Sequence, residues 1–189
     1  MNENPFAGAL EWLSDPVRWT GPSGIPLRTA EHLGYTALGV LVAALIAVPV
    51  GLYVGHTGRF KGLAVGAAGV ARALPTLGLV TLFAPLVGIG LTAPLLSFVI
   101  LAIPSLLAGA YSAVESADPA TVDAARAQGM TEWQILTRVE LPLGMPLLVG
   151  GVRGATVQVV ATAMLAAYVG AAAWAGTSSR ASARRTTRR

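Results

Sequence analysis

The side chains best suited to chemistry are few and scattered. The chain has two histidines, His32 and His56, at opposite ends of one apolar stretch, and no cysteine. A serine or metal protease needs a Ser–His pair or converging ligands. No Gly-x-Ser-x-Gly, His-Glu-x-x-His or Gly-x-x-x-x-Gly-Lys-[Ser/Thr] occurs. An intramembrane enzyme and an ATPase are both disfavoured, and disulfides and Cys-ligated metals are excluded. His56 has no ligand partner near it in sequence and reads as an interfacial residue, not a metal site. The remaining polar groups are Arg72, Arg153 and Gln158 in apolar surroundings, and one long polar segment, Val122 to Pro142.

That segment, VDAARAQGMTEWQILTRVELP, has its own punctuation. Asp118 can cap a helix whose first residue is Pro119. The helix is expected to run to about Gln128, with Gly129 at the left-handed position that ends it. Thr131 and Gln134 match a capping box for a second helix. Trp133, Leu136 and Val139 would form its apolar stripe, and Pro142 is expected to close it. The result is helix, glycine turn, helix, outside the bilayer core.

The surroundings are those of a membrane protein. The chain is 54% hydrophobic and 12% charged, against roughly 25% charged in soluble domains. Five of its 13 basic residues, Arg180, Arg184, Arg185, Arg188 and Arg189, sit in the last ten positions. Without them the balance is eight basic against nine acidic, so the body is no nucleic-acid binder. The fold class is an all-α integral membrane protein with four apolar spans.

Leu33 to Gly55 carries no charge and is about 34 Å long as a helix, enough to cross a bilayer. Pro49 could kink it, and Gly51 and Gly55 suit close helix packing. Gly62 to Gly88 is the second span, with Gly62, Gly66 and Gly69 for packing, Arg72 within it and a break expected at Pro75. Leu91 to Val114 is the third, containing Pro94 and Pro104. Leu143 to Trp174 is the fourth, with Arg153, Gln158 and the pair Gly150 and Gly154. Internal prolines suggest broken helices lining a path, or hinges and packing kinks. A mid-bilayer charge costs at least ~2.5 kcal/mol, so Arg72 faces protein or water, or lies near the interface. It can serve a pathway or gate, or hydrogen-bond at a helix break. Arg153 and Gln158 lie about 140° apart around a helix and form no joint site.

Residues 1–32 lack the basic start of a signal peptide and are expected to be an extracytoplasmic leader, with Trp12 and Trp19 available as interfacial anchors. His56, Arg59 and Lys61 make a basic short loop, which places it in the cytoplasm and the N-terminus outside. Two further spans return residues 115–142 to the same cytoplasmic side. Residues 175–189 read as a disordered basic tail.

Asp123-Ala124-Ala125 is followed after three residues by Gly129, and after nine more by Val139, Glu140, Leu141 and Pro142. This resembles the acidic-Ala-Ala, Gly, Ile-x-Leu-Pro loop of ABC-importer permeases, with Asp for the usual Glu and Val for Ile. Over residues 25–172 the chain resembles the osmoprotectant branch, which handles glycine betaine, carnitine, choline or proline. The resemblance implies a type I importer permease whose loop docks on a separate ATP-binding subunit. Asp123, Ala124, Ala125, Gly129, Val139, Leu141 and Pro142 are then the coupling positions. It also implies a second permease copy or homologous permease, an extracytoplasmic substrate-binding protein, and no cofactor in this chain, ATP being held by the partner. Permeases of this branch continue through a glycine-rich turn and another helix. Ala171 to Arg189 departs from that pattern, which implies a truncated end or frame change and, as the alternative function, a transport-incompetent remnant.

Overall fold

The computed structural model describes residues 5–21, 24–73, 78–79, 82–83, 86 and 92–186, with the side chains of residues 5, 71–73 and 164–186 outside that description. Every regular element among them is helical. The chain divides into two compact units, residues 1–35 and 36–189.

In the first unit, α1 (Pro5–Ser14) leads into a 3₁₀ turn, Pro16–Arg18. Asp15 caps that turn by accepting from the Val17 amide at 3.0 Å. The Trp19 indole donates to the Leu13 carbonyl at 2.7 Å, and the Arg18 guanidinium stands 4.9 Å over the Trp12 ring. Both indoles remain about half exposed.

Helix α2 (Ile25–Thr57) begins before the charge-free stretch and runs through Pro49 unbroken. It is followed by α3 (Lys61–Ala73) and α4 (Thr92–Glu115). Then come α5 (Pro119–Ala127), α6 (Glu132–Ile135), a π turn at Leu136–Glu140, and α7 (Leu141–Thr186). Among the described residues three helical runs are long and apolar enough to cross a membrane: Ile25–Thr57, Thr92–Glu115 and Glu132–Ala163, the last opening with the polar turns of the loop. Part of the second expected span, including Pro75, lies outside the described residues, as does the Arg72 side chain.

Within the second unit α4 is the central helix. Leu101, Ala102, Leu106, Ala110 and Ala113 on it are at most 1% exposed. Hydrophobic burial cannot drive helix association in lipid, so close backbone approach must. On α2, a Cβ at Gly51 would lie 2.7 Å from the Ala110 Cβ, and one at Gly55 2.8 Å from the Val114 Cβ. That glycine pair seats α2 on α4.

The other glycine expectations change. Gly62, Gly66 and Gly69 have open space where a side chain would be, as does Gly150, and Gly154 only grazes Ser105. On α7 the close contacts fall instead at Gly144, against the Ala113 backbone, and at Gly151, against Gly109. Gly144 and Gly151 are seven apart and share a face, which Gly150 does not.

The prolines break less than expected. Pro94 sits in the first turn of α4, where its missing amide costs nothing, and Pro104 and Pro146 lie inside continuous helices. Residues 175–186, expected as a disordered tail, continue α7. Ala and Arg are strong helix formers, and after Gly176 no glycine or proline interrupts them.

Candidate functional site

The polar loop is built as a small domain with its own core. Val122 and Ala125 of α5 and Ile135 of α6 are buried together, with Ala117, Met130 and Val139 packed around them. The connecting turn holds that core closed. The Asp118 carboxylate accepts from the Ala120 amide at 3.0 Å and starts α5. At the other end the Met130 amide donates to the Ala125 carbonyl at 3.2 Å, and the Gly129 amide to the Arg126 carbonyl at 2.9 Å. These are the paired bonds of a Schellman ending, with Gly129 at φ 80°. Thr131 then opens α6. Its hydroxyl accepts from the Gln134 amide at 3.4 Å, and the Gln134 side chain accepts from the Thr131 amide at 2.9 Å.

The expected apolar stripe is rotated. Leu136 is buried and Val139 half-buried, but Trp133 is 72% exposed. Ile135 takes the inward place, leaving the indole on the outer surface. The end of the second helix also differs from expectation. Pro142 does not terminate it. In an α-helix the Pro142 ring would clash with the carbonyl four residues earlier, that of Arg138. The π turn widens the coil there, and the Leu141 amide bonds the Leu136 carbonyl, five residues back. The helix therefore passes from loop to membrane without a break.

Of the seven motif positions, Asp123, Ala124, Gly129 and Pro142 are exposed. Val139 and Leu141 are half-buried, and Ala125 faces the loop core. A Cβ at Gly129 would meet nothing within 4 Å, so its backbone conformation, not crowding, excludes other residues. Arg153 is exposed and Gln158 half-buried on α7, and no contact joins them among the described interactions.

A set of charges absent from the sequence expectations surrounds the loop. The Arg126 guanidinium donates from Nε to Glu132 Oε1 at 2.9 Å, from Nη2 to Glu132 Oε2 at 3.1 Å, and from Nη1 to Asp123 Oδ1 at 3.2 Å. The Arg126 bonds hold the Glu132 carboxyl below the usual glutamate range, and the same carboxylate raises Arg126 further. His56, read from sequence as an interfacial residue, has two carboxylate partners. Its Nδ1 is 2.6 Å from Glu140 Oε2 and its Nε2 is 3.1 Å from Glu132 Oε2. Nothing in local spacing links His56 to Glu140, 84 residues away. A further ion pair, Lys61 with Glu115, joins the start of α3 to the end of α4.

Among the described residues this arrangement presents a surface of paired charges over a small apolar core. Among the described residues no group of three His, Cys, Asp or Glu is placed to bind a metal ion.

Proteins similar to this chain in sequence carry transport names. The carnitine transport permease protein OpuCD of Listeria monocytogenes is 30% identical over 141 residues, 75% of this chain and 63% of the relative. The glycine betaine/carnitine/choline transport system permease protein OpuCB of Bacillus subtilis is 26% identical over 143 residues, 76% of this chain and 66% of its own length. The osmoprotectant import permease protein OsmW of Salmonella typhimurium is 33% identical over 151 residues, 76% of this chain and 69% of its own. The chain thus spans about 63% of the length of the first of these relatives. A family model of the binding-protein-dependent transport system inner membrane component matches residues 33–185. With the membrane helices and the loop geometry, that match makes this chain a member of the binding-protein-dependent transport system inner membrane component family.

Proposed function

We propose that this chain is the permease subunit of an ABC importer for an osmoprotectant such as glycine betaine, carnitine, choline or proline. The observation that carries the reading is the loop, two short helices locked around a private core and continuous with a membrane helix. Such a module can receive a push and pass it on without unfolding. The named functions of the relatives supply the substrate class. Hydrolysis of ATP belongs to a separate subunit, and the chain itself needs no cofactor. Its partners are that subunit, a second permease copy or homologous permease, an extracytoplasmic substrate-binding protein, and the lipid of the bacterial plasma membrane.

The loop and the basic turn at residues 56–61 lie on the cytoplasmic side in this proposal, with the N-terminus outside. The docking positions are Asp123, Ala124, Ala125, Gly129, Val139, Leu141 and Pro142. Ala125 and Val139 act from within, by holding the loop's shape. Arg72, Pro75, Arg153 and Gln158 are assigned to the pathway or its gate. The exposure of Arg153 on a membrane helix supports this, since a lipid-facing arginine is costly and a water- or partner-facing one is not.

Trp133 is the strongest candidate for an anchor on the partner. Exposed indoles of this kind dominate binding energy when they fill a pocket. With the chain purified from membranes together with its ATP-binding subunit, Trp133→Ala should lower the retained subunit by about tenfold, equivalent to about 1.4 kcal/mol. Trp133→Phe should retain most of it. A wild-type chain that inserts normally and retains no ATP-binding subunit would refute the permease assignment.

A further inference from the structure

Three elements converge on one imidazole. His56 lies in the last turn of α2, Glu132 opens α6, and Glu140 ends the π turn. The His56 side chain is 12% exposed and that of Glu140 7%. Each ring nitrogen has a carboxylate oxygen within hydrogen-bond reach.

The π turn makes this convergence available. Glu132 and Glu140 are eight positions apart in sequence. In an uninterrupted α-helix they would point about 80° apart. A π turn takes up one extra residue, so the two stand as i and i+7 would, about 20° apart. One backbone irregularity therefore accommodates Pro142 and aims both carboxylates at the same ring. Beyond the ring, Glu132 continues to Arg126, and Arg126 to Asp123. An unbroken line of polar contacts runs from the end of a membrane helix to the first residue of the Asp-Ala-Ala triplet.

We infer that His56 is a positioning residue that ties the loop to α2, so that displacing the loop moves this membrane helix. The inference rests on the permease assignment above. Without the tie, α2 follows through contacts such as its apolar seat on α4, and His56 is dispensable.

The absence of cysteine makes the test clean. Tyr53, 49% exposed on α2 and one turn before His56, is replaced by cysteine as a single reporter. The full chain is purified in membranes with its ATP-binding subunit. Retained subunit and maleimide labelling rate are measured with and without ATP and vanadate. The expected result is an ATP-dependent change in labelling of the reporter chain. In His56→Ala, retention should stay within about twofold while that change falls about fivefold or more. His56→Arg should restore it, because a guanidinium fork can donate to two carboxylates.

A full ATP response in His56→Ala overturns the inference. So does joint loss of retention and response without rescue by arginine, which would make His56 a mere prop of the loop. Retention of the subunit with no ATP response in the reporter chain also overturns it, since α2 then does not follow the loop. If the unsubstituted chain retains no subunit, the permease assignment falls first and the inference with it. That outcome is visible before any His56 variant is made.

Discussion

Gly144→Ala should unseat α7 from α4. A Cβ at Gly144 would stand 1.9 Å from the Ala113 carbonyl oxygen and 2.3 Å from its carbon. Both are backbone atoms of a buried helix, so no side chain can turn aside. The helices must part, and neighbouring contacts open with them. Gly109 and Gly151 touch backbone to backbone in the same interface. Ordinary overpacking costs about 1–3 kcal/mol; here the whole seam is displaced, and about 4 kcal/mol is expected. The measurement is the yield of monodisperse chain in detergent and its thermal midpoint. Gly150→Ala is the matched control. It adds the same methyl on the same helix where nothing lies within 4 Å. That variant should be neutral or gain about 0.5–1 kcal/mol, because alanine is the better helix former. Equal behaviour of the two variants would refute the proposed α4–α7 contact.

Glu140→Lys should release the loop from α2 and destabilise it. The wild-type carboxylate is nearly buried and sits 2.6 Å from His56 Nδ1. Lysine replaces an acceptor with a cation at a place shielded from water. An unpaired cation forced into that shielded place costs about 3–5 kcal/mol. Glu140→Gln keeps an acceptor oxygen for the ring and should cost about 1–2 kcal/mol. Hydrogen exchange across residues 119–140 distinguishes them: protection should collapse in the lysine variant and only weaken in the glutamine variant. Unchanged protection in Glu140→Lys would mean that the loop's apolar core alone holds it.

The local features of the loop were legible because their causes are local. Asp118, Pro119, Gly129, Thr131 and Gln134 act over two to five residues, and each bond they imply is present. The seat of α2 was legible too, since Gly51 and Gly55 share a helix face without a competing pair nearby. On α7 the signal was ambiguous. Gly144, Gly150, Gly151 and Gly154 offer several spacings, and only the partner helix decides which face is used. Trp133 was misplaced because Ile135 competes for the same small core and two apolar faces alternate along so short a helix. The passage through Pro142 was hidden for a different reason. Proline rules describe α geometry, and nothing in LTRVELP announces a π turn. The His56–Glu140 pair lay beyond any spacing rule, because tertiary folding alone brings the end of α2 to the loop.

The π turn also determines how the loop can change in length. It stores one surplus residue between docking surface and membrane helix. Deleting Thr137 would let residues 136–141 relax to ordinary helix while the flanking faces keep their mutual direction, at the cost of a kink where Pro142 meets its fourth-preceding carbonyl. Inserting one residue has no such outlet. It would swing everything before it by about 100° about the axis and carry Glu132 away from Glu140. This loop is therefore expected to tolerate shortening by one residue far better than lengthening by one.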